Sequence, residues 1–405
     1  MVLSGKLAVC CALAFVLGAA AYAGGFQLNE AGARAMAQAG AFAARASDGS
    51  AIYFNPAGLG FQDLPSAYVG VTTIIPTSTF YGPLQDNSNA KTKAPWQMFT
   101  PINAYVTYPL SGRLHVGFGV NNPFGLGSKW PDDWVGARLT TNVQLQTFFF
   151  TPTVAYLVTD DLSVGAGFNY ARGTVKLERA VETPVGTPRA SIDMNGDGAG
   201  FNLGALYKIS PKLSAGVSYR SKVKVNATGT ASFTPSYSFL PAGDASLPIT
   251  LPPTAFVGVA YAPMDNLSVE ADYQFIGWST YNQLAIEFAK DGSSSVTPKN
   301  YKDTYILRIG GEYTMDYCHF RAGYLYDHSP VSSAYVDPIL PDANRNGFNV
   351  GLGYDITPSI SVDVAYFFLK FDQRQAVNTI PETDFDGTYN TYANLFALNV
   401  GYTFR

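Results

Sequence analysis

Polar and apolar residues alternate with a period of two over most of the chain beyond about residue 62. From Ser359 to Phe371, Ile360, Val362, Val364, Tyr366 and Phe368 share one face, and Ser361, Asp363 and Ala365 the other. Between Lys212 and Asn226, Leu213, Ala215, Val217, Tyr219, Val223 and Val225 alternate with Ser214, Ser218, Arg220, Lys222 and Lys224. In the same way Leu267, Val269, Ala271, Tyr273 and Phe275 oppose Ser268, Glu270, Asp272 and Gln274. Such alternation predicts strands with one apolar and one polar face, without saying whether the apolar face meets lipid or a core.

Connection lengths decide that point. Tight turns recur at 109–112, 159–161, 209–212, 262–266, 314–316 and 356–358. Between them fall longer polar or Pro-rich connections at about 82–95, 123–142, 179–195, 231–249, 288–300, 328–344 and 374–389. Short and long connections alternate as periplasmic turns and extracellular loops do in a bacterial membrane barrel. The expected fold is all-β, a transmembrane antiparallel β-barrel of about fourteen strands over residues 62–405, with both termini on the periplasmic side. The last strand, Ala393 to Phe404, points Phe396, Leu398, Val400, Tyr402 and Phe404 at lipid. The chain then adds Arg405 where such barrels usually end on an aromatic residue.

Composition agrees. Tyr and Gly are abundant, the net charge of −4 argues against a nucleic-acid partner, and no stretch after the N-terminus approaches eighteen consecutive apolar residues. Residues 1–23 read as an export signal, with Lys6 before an apolar run from Leu7 to Gly18 and an A-x-A site at Ala21-Tyr22-Ala23. One cysteine, Cys318, then remains in the mature chain, so it forms no internal disulfide.

Residues 24–61 differ from everything after them. This stretch is rich in Ala and Gly and poor in large side chains, so it buries too little apolar area to order itself alone. It also carries spaced charges and a rigid Asn55-Pro56 corner. It is expected to be a plug, or hatch, folded inside the barrel. Arg220, Lys222, Lys224, Glu270, Asp272, Arg308, Glu312, Arg321 and Asp363 are expected to face the lumen and to pair with Glu30, Arg34, Arg45 and Asp48 of the plug. That network either holds the plug or acts as a hinge with two arrangements.

Two further features bear on function. The third strand is interrupted at Asn121-Asn122-Pro123-Phe124-Gly125-Leu126-Gly127, where proline removes a ladder donor and glycine weakens pairing. A kink there leaves backbone unpaired beside lipid unless it lines an opening. The long loops are also unusually apolar. Trp130 and Trp134 stand in one, and Phe233, Tyr237, Phe239 and Leu240 in another, which suggests either an extracellular groove or packing of loop on loop.

The chain resembles the FadL family of outer-membrane long-chain fatty-acid and hydrophobic-compound transporters. The resemblance lies in Arg321-Ala-Gly-Tyr-Leu-Tyr-Asp-His-Ser-Pro-Val331, Ile339-Leu-Pro-Asp-Ala-Asn-Arg345, Gly351-Leu-Gly-Tyr354, Tyr219-Arg-Ser-Lys-Val-Lys224, Gly277-Trp-Ser279 and Tyr301-Lys-Asp303. Gly25-Phe26-Gln-Leu-Asn-Glu30 and Asn55-Pro56-Ala57 are similar to the family's mature start and hatch motif. The resemblance implies a hatch, an extracellular groove, a deeper pocket, passive transport and sideways release at the kinked third strand. It also implies that Arg179 and Lys302 receive a carboxylate in fatty-acid members, whereas other members carry uncharged monoaromatic hydrocarbons. The partners it implies are a hydrophobic small molecule and outer-membrane lipid; a monomer without a cofactor is expected.

Competing chemistry is thin. Asp193, Asn195 and Asp197, echoed at Asp342, Asn344 and Asn346, match half a calcium loop but lack its closing Glu, so turn chemistry before a strand is the reading and no metal is expected. An outer-membrane lipase lacks G-x-S-x-G, and His328-Ser329 in an extended strand would point apart. A general porin would not carry a plug and apolar loops. Passive uptake of a hydrophobic compound, most of all a long-chain fatty acid, is the expected function.

Overall fold

The alternating segments form fourteen antiparallel strands that close on themselves. A computed structural model describes residues 24–84, 88–377 and 385–405, and the export signal read at 1–23 lies outside them. Four strands are continuous in the first half: β1 (Ser66–Tyr81), β4 (Asn142–Leu157), β5 (Leu162–Ala180) and β6 (Arg189–Ser210). Between β1 and β4 stand β2 (Lys91–Lys93, then Ile102–Pro109) and β3 (Leu114–Asn121, then Gly125–Lys129), each in two pieces. Four more broken strands follow: β7 (Leu213–Arg220, then Val223–Thr234), β8 (Gly243–Leu251, then Thr254–Met264), β9 (Leu267–Ile276, then Gln283–Phe288) and β10 (Ser294–Pro298, then Thr304–Met315). The wall ends with β11 (Cys318–Asp327), β12 (Arg345–Thr357), β13 (Ile360–Phe371, then Arg374–Ala376) and β14 (Gly387–Thr403). Closure is by β14 running antiparallel to β1, from Ser66 opposite Thr403 to Tyr81 opposite Thr388.

The outer wall carries what a soluble protein would bury. Phe396, Leu398, Val400, Tyr402 and Phe404 are 41–51% exposed, and Val257, Val259, Ile309 and Val350 stand out in the same way. So continuous an apolar surface needs lipid around it. Tyr108, Tyr156, Tyr207, Tyr261, Tyr317 and Tyr354 are exposed close to the short turns, where a ring with a polar tip suits the membrane boundary. Among the described residues no helix is long and apolar enough to cross a membrane.

Two expectations need correction. The connection expected at 179–195 is shorter because β6 runs for 22 residues and begins at Arg189. Asp193, Asn195 and Asp197 therefore stand on the outer face of a strand, not in a turn, and Arg172 of β5 pairs with Asp197 at 3.4 Å. Lys222 and Lys224 also face outward, while Val223 and Val225 are buried. The cause is a bulge. Arg220 lies opposite Asn202 but Asn226 opposite Asp197, so β7 holds one extra residue near Ser221 and the alternation changes phase.

Residues 24–61 fill the lumen with two short helices, α1 (Ala33–Met36) and α2 (Ala51–Phe54), and a 3₁₀ turn over Pro56–Phe61. Their small side chains let backbone lie directly on the wall. A Cβ at Gly216 would overlap the Ala43 carbonyl, and one at Gly310 that of Gln38. Inward carboxylates receive the plug's free amides: Asp272 accepts from Phe42 (2.9 Å) and Ala43 (3.0 Å), and Glu270 from Ala44 (2.6 Å). Asn55 caps the 3₁₀ turn through Ala57 N (3.2 Å) and donates to the Ala43 carbonyl at 2.8 Å, with Pro56 at the first position of the turn.

The charged network forms between the plug and strands β7, β9, β10, β11 and β13. Arg34 faces Asp48 (3.7 Å) and Asp363 (3.9 Å), and Arg45 faces Glu270 (3.7 Å) and Glu312 (3.5 Å). Arg321 bridges Glu312 to Asp363. Arg220 donates to the Tyr53 carbonyl (3.0 Å) and Arg308 to that of Ala39 (3.0 Å). Glu30 makes none of these ion pairs and accepts from the Asn29 amide at 2.8 Å.

Candidate functional site

The site lies where the plug's first residues meet the break in β3. Pro123 has no amide to give, so side chains take over there. Asn122 donates to the Thr147 carbonyl (2.5 Å) and accepts from the Ile102 amide (2.8 Å), while Thr147 Oγ1 donates to the Phe124 carbonyl at 2.6 Å. The plug completes the repair from inside. Leu28 N donates to Pro123 O (2.9 Å), Gly125 N donates to Phe26 O (3.0 Å), and Gln27 pairs with Phe124 as an antiparallel bridge. Phe26 to Leu28 is thus a short strand laid on the kink.

Beyond the kink, Gly125–Lys129 pairs with β4 alone, since the β2–β3 ladder ends at Asn103 opposite Asn121. The facing stretch of β2, 94–101, holds to β1 through the Ile74–Phe99 bridge. A seam therefore runs between β2 and the second piece of β3. Phe99 fills it, packed so closely on Gly127 that any Cβ there would overlap the ring.

Behind this seam is a cavity of about 370 Å³. Phe26, Leu28, Phe99, Phe124, Leu145, Phe367 and Leu395 supply apolar lining, and Glu30, Asp327 and Arg345 the charged groups. On the far side the wall breaks again. A 3₁₀ turn, Trp278–Thr280, joins the two pieces of β9, and Tyr301 stands in the gap of β10. Phe26 meets Trp278 edge-on at 4.5 Å and Tyr281 at 5.4 Å, and Tyr281 meets Tyr301 at 5.1 Å. The start of the plug is held between a kinked strand and an aromatic clamp. Arg345 pairs with Asp342 (2.7 Å) and Asp327 (3.7 Å), and Gly25 N donates to Asp342 at 3.2 Å.

Of the hatch residues singled out in the sequence, Gly25 and Phe26 line the cavity, whereas Asn55 and Pro56 sit deeper, under the wall. Asn121 ends the first piece of β3, and Asn122, Phe124 and Gly125 border the cavity. Arg179 is elsewhere. It lines a second cavity of about 160 Å³ among Leu177, Phe233, Leu240, Ile286 and Phe288, its Nη2 3.5 Å from Ser295 Oγ. Lys302 is exposed and lines neither cavity, so the two basic residues do not share one site.

The apolar loop residues also divide. Trp130 and Trp134 stack on each other at 4.5 Å and are buried with Phe80, Phe385 and Tyr389, so they form loop core, not an open groove. Phe233 and Leu240 line the second cavity, and Tyr237 stacks at 5.4 Å on exposed Phe239. Sequence reasoning missed Arg345, Asp327, Asp342 and the clamp as site residues. Trp278 beside Gly277 at a strand break was the one local signal. His328 Nδ1 lies 2.8 Å from Thr304 Oγ1, while Ser329 Oγ donates to Asp342 at 2.6 Å, so the two do not form a nucleophile–base pair. Among the described residues no group of His, Cys, Asp and Glu could hold a metal.

The barrel is similar to a solved FadL homologue from Pseudomonas aeruginosa, with a TM-score of 0.85, 21% identity, and 94% of this chain and 100% of that one covered. It is also similar to the toluene transporter TodX of Pseudomonas putida, with a TM-score of 0.76, 17% identity, and coverage of 92% and 98%. In sequence it is 25% identical to the long-chain fatty acid transport protein of Escherichia coli over 435 residues, covering 95% of each. A family model described as outer membrane protein transport protein (OMPP1/FadL/TodX) matches residues 14–404, and the chain belongs to that family: it is an outer-membrane β-barrel transporter of hydrophobic compounds.

Proposed function

We propose that this protein takes up long-chain fatty acids by passive diffusion, as a monomer. The acid enters at the loop cavity beside Arg179, passes to the luminal cavity as the hatch residues shift, and leaves sideways through the seam between β2 and β3. One observation carries this reading: an apolar cavity is bounded on one side by the plug's first residues and on the other by a seam across which β2 and β3 share no ladder. Its volume of about 370 Å³ falls at the lower end of the ~300–1,000 Å³ typical of ligand sites. Arg179 has a hydroxyl partner in Ser295 and apolar surroundings, which suits an acid with a long tail.

A second reading has its own support. Arg345, the cation lining the inner cavity, already faces two carboxylates, so that cavity offers little to a third and would accept an uncharged aromatic compound as well.

Binding of oleate and of toluene to the purified barrel, alone and with Arg179→Ala and Lys302→Ala, separates the two. Saturable oleate binding that weakens in Arg179→Ala supports the acid. Toluene binding indifferent to both substitutions, with no oleate binding, moves the assignment to aromatic hydrocarbons. Chain length gives a sharper expectation. Each buried methylene adds about 0.8 kcal/mol, so two more should tighten binding roughly tenfold until the cavity is full.

A further inference from the structure

The bulge near Ser221 turns Lys222 and Lys224 of β7 to the outside of the barrel. It is pinned on both sides: Ser221 N donates to the Phe201 carbonyl at 2.9 Å, and Phe201 N donates to Ser221 Oγ at 2.9 Å. On the neighbouring strands β5 and β6 the cations have carboxylates beside them. Arg172 faces Asp197 (3.4 Å), Lys176 faces Glu178 (3.2 Å), and Arg189 faces Glu178 (2.7 Å) and Asp132 (3.1 Å). The ammonium groups of Lys222 and Lys224, by contrast, make no ion pair and no hydrogen bond among the described residues.

Their height in the membrane follows from the strand. β7 runs outward from the tight turn at 209–212, and Tyr261, opposite Leu213, stands at the periplasmic boundary. From Leu213 to Lys224, allowing for the bulge, the strand advances about 33 Å, which a tilt of about 40° turns into a height of about 25 Å, the full apolar band of such a barrel. Lys224 therefore stands at the outer boundary. Lys222 is one pleat lower, level with the exposed rings of Phe201 and Tyr219, whose centroids are 6.1 Å apart. A bare ammonium beside hydrocarbon is costly, and its flexible stem lets it rise to the nearest anion. In an outer membrane the anions at that height are lipid phosphates.

The surface around the two lysines has three tiers. Below them Val217, Tyr219 and Leu203 present an exposed apolar face. The lysines themselves are two residues apart on one face, about 6.6 Å between Cα atoms, so both ammonium groups can converge on one phosphate. Above them Asn226 and Thr228 stand exposed, opposite Asp197 and Asn195 of β6, a polar face with both donors and acceptors. A ligand that matches all three carries acyl chains, a phosphate and a sugar, in that order of height.

We propose that Lys222 and Lys224 clamp the phosphate of a phosphorylated glycolipid of the outer leaflet, whose acyl chains lie on Val217, Tyr219 and Leu203 and whose sugar lies beside Asn226 and Thr228. The site rests on the barrel and its orientation, and it stands apart from the route that a transported compound takes through the lumen.

The test uses the exported full-length barrel, stripped of lipid by detergent exchange and titrated with a bisphosphorylated, hexa-acylated diglucosamine lipid. Native mass spectrometry reads the lipid retained. The clamp predicts one glycolipid held per barrel, with binding at least tenfold weaker in Lys222→Gln/Lys224→Gln and close to that of the unaltered barrel in Lys222→Arg/Lys224→Arg. Lys212→Gln, which removes a cation from the periplasmic turn, should leave binding unchanged. Removing the phosphates from the glycolipid should weaken binding as much as the Gln pair does. That arm needs no substitution, so it reads the site whatever the Gln pair does to folding. Phosphatidylglycerol, which has a phosphate but no sugar, should bind at least tenfold more weakly than the glycolipid. Glycolipid binding untouched by the Gln pair in a folded barrel, or equally tight without its phosphates, overturns the clamp. Phosphatidylglycerol bound as tightly as the glycolipid overturns the glycolipid as its occupant.

Discussion

Glu30 is a single residue whose proton reports on the plug. Burial pushes its carboxyl up to about 7, outweighing the Asn29 amide and the nearby Arg345 and Arg308 charges, which act the other way. A proton held more tightly in the docked plug than in a displaced one stabilises docking, fully so below the ordinary carboxylate range near 4.5 and progressively less as pH rises through about 7. Hydrogen exchange of the plug amides, corrected for intrinsic rates, should therefore quicken between pH 5 and 8, by at most about tenfold per unit. Glu30→Gln should flatten that dependence. Arg321 makes the opposite case, a charge whose partners are fixed. Arg321→Met leaves Asp363 and Glu312 only their longer contacts with Arg34 (3.9 Å) and Arg45 (3.5 Å), and breaking such a buried pair costs about 3–5 kcal/mol. Thermal unfolding should show the plug melting earlier while the barrel keeps its folded migration on unheated gels.

Among the elements, the strand Phe26–Leu28 and the kink of β3 make the sharpest claim. Antiparallel bridge partners lie about 4.5–5.5 Å apart between Cα atoms, within reach of a disulfide. Gln27→Cys with Phe124→Cys, in a Cys318→Ser background, should therefore cross-link. Uptake of labelled oleate should stop under oxidation and return on reduction. Phe99→Ala empties the seam beside Gly127 and should raise the uptake rate several-fold, whereas unchanged uptake would argue against a route through the wall. How far these elements were legible follows from their physics. Period-two alternation is local, so the strands, the turns and the break at Pro123 could be read directly. The phase of alternation is not local. One extra residue near Ser221 turned Lys222 and Lys224 outward, and nothing in Arg220-Ser221-Lys222 marks it, although Pro252-Pro253 on the neighbouring strand marks a matching break. Trp130 and Trp134 looked like an exposed groove because one loop's sequence cannot show that Phe385 and Tyr389 arrive from another to cover it. Arg345 was visible as a motif residue, but its role depends on Asp327 and the start of the plug, which lie far away in the chain.

For the molecule as a whole, the division of labour was legible from composition: a segment too poor in large side chains to fold alone, followed by a wall able to enclose it. What composition could not give is how the plug is distributed over that wall. Its amides and guanidinia end on Asp272 and Glu270 of β9, Glu312 of β10, Asp363 of β13 and Asn399 of β14, whose Oδ1 accepts from the Ala33 amide at 2.9 Å. Those partners are synthesised long after the plug, although the Leu28 amide ends earlier, on Pro123 in the β3 kink. The plug also leads directly into β1, the strand that must join β14 to shut the cylinder. Assembly therefore has a required chronology: residues 24–61 wait without structure of their own until the wall curls round them, and the final seam is sewn with its cargo already inside.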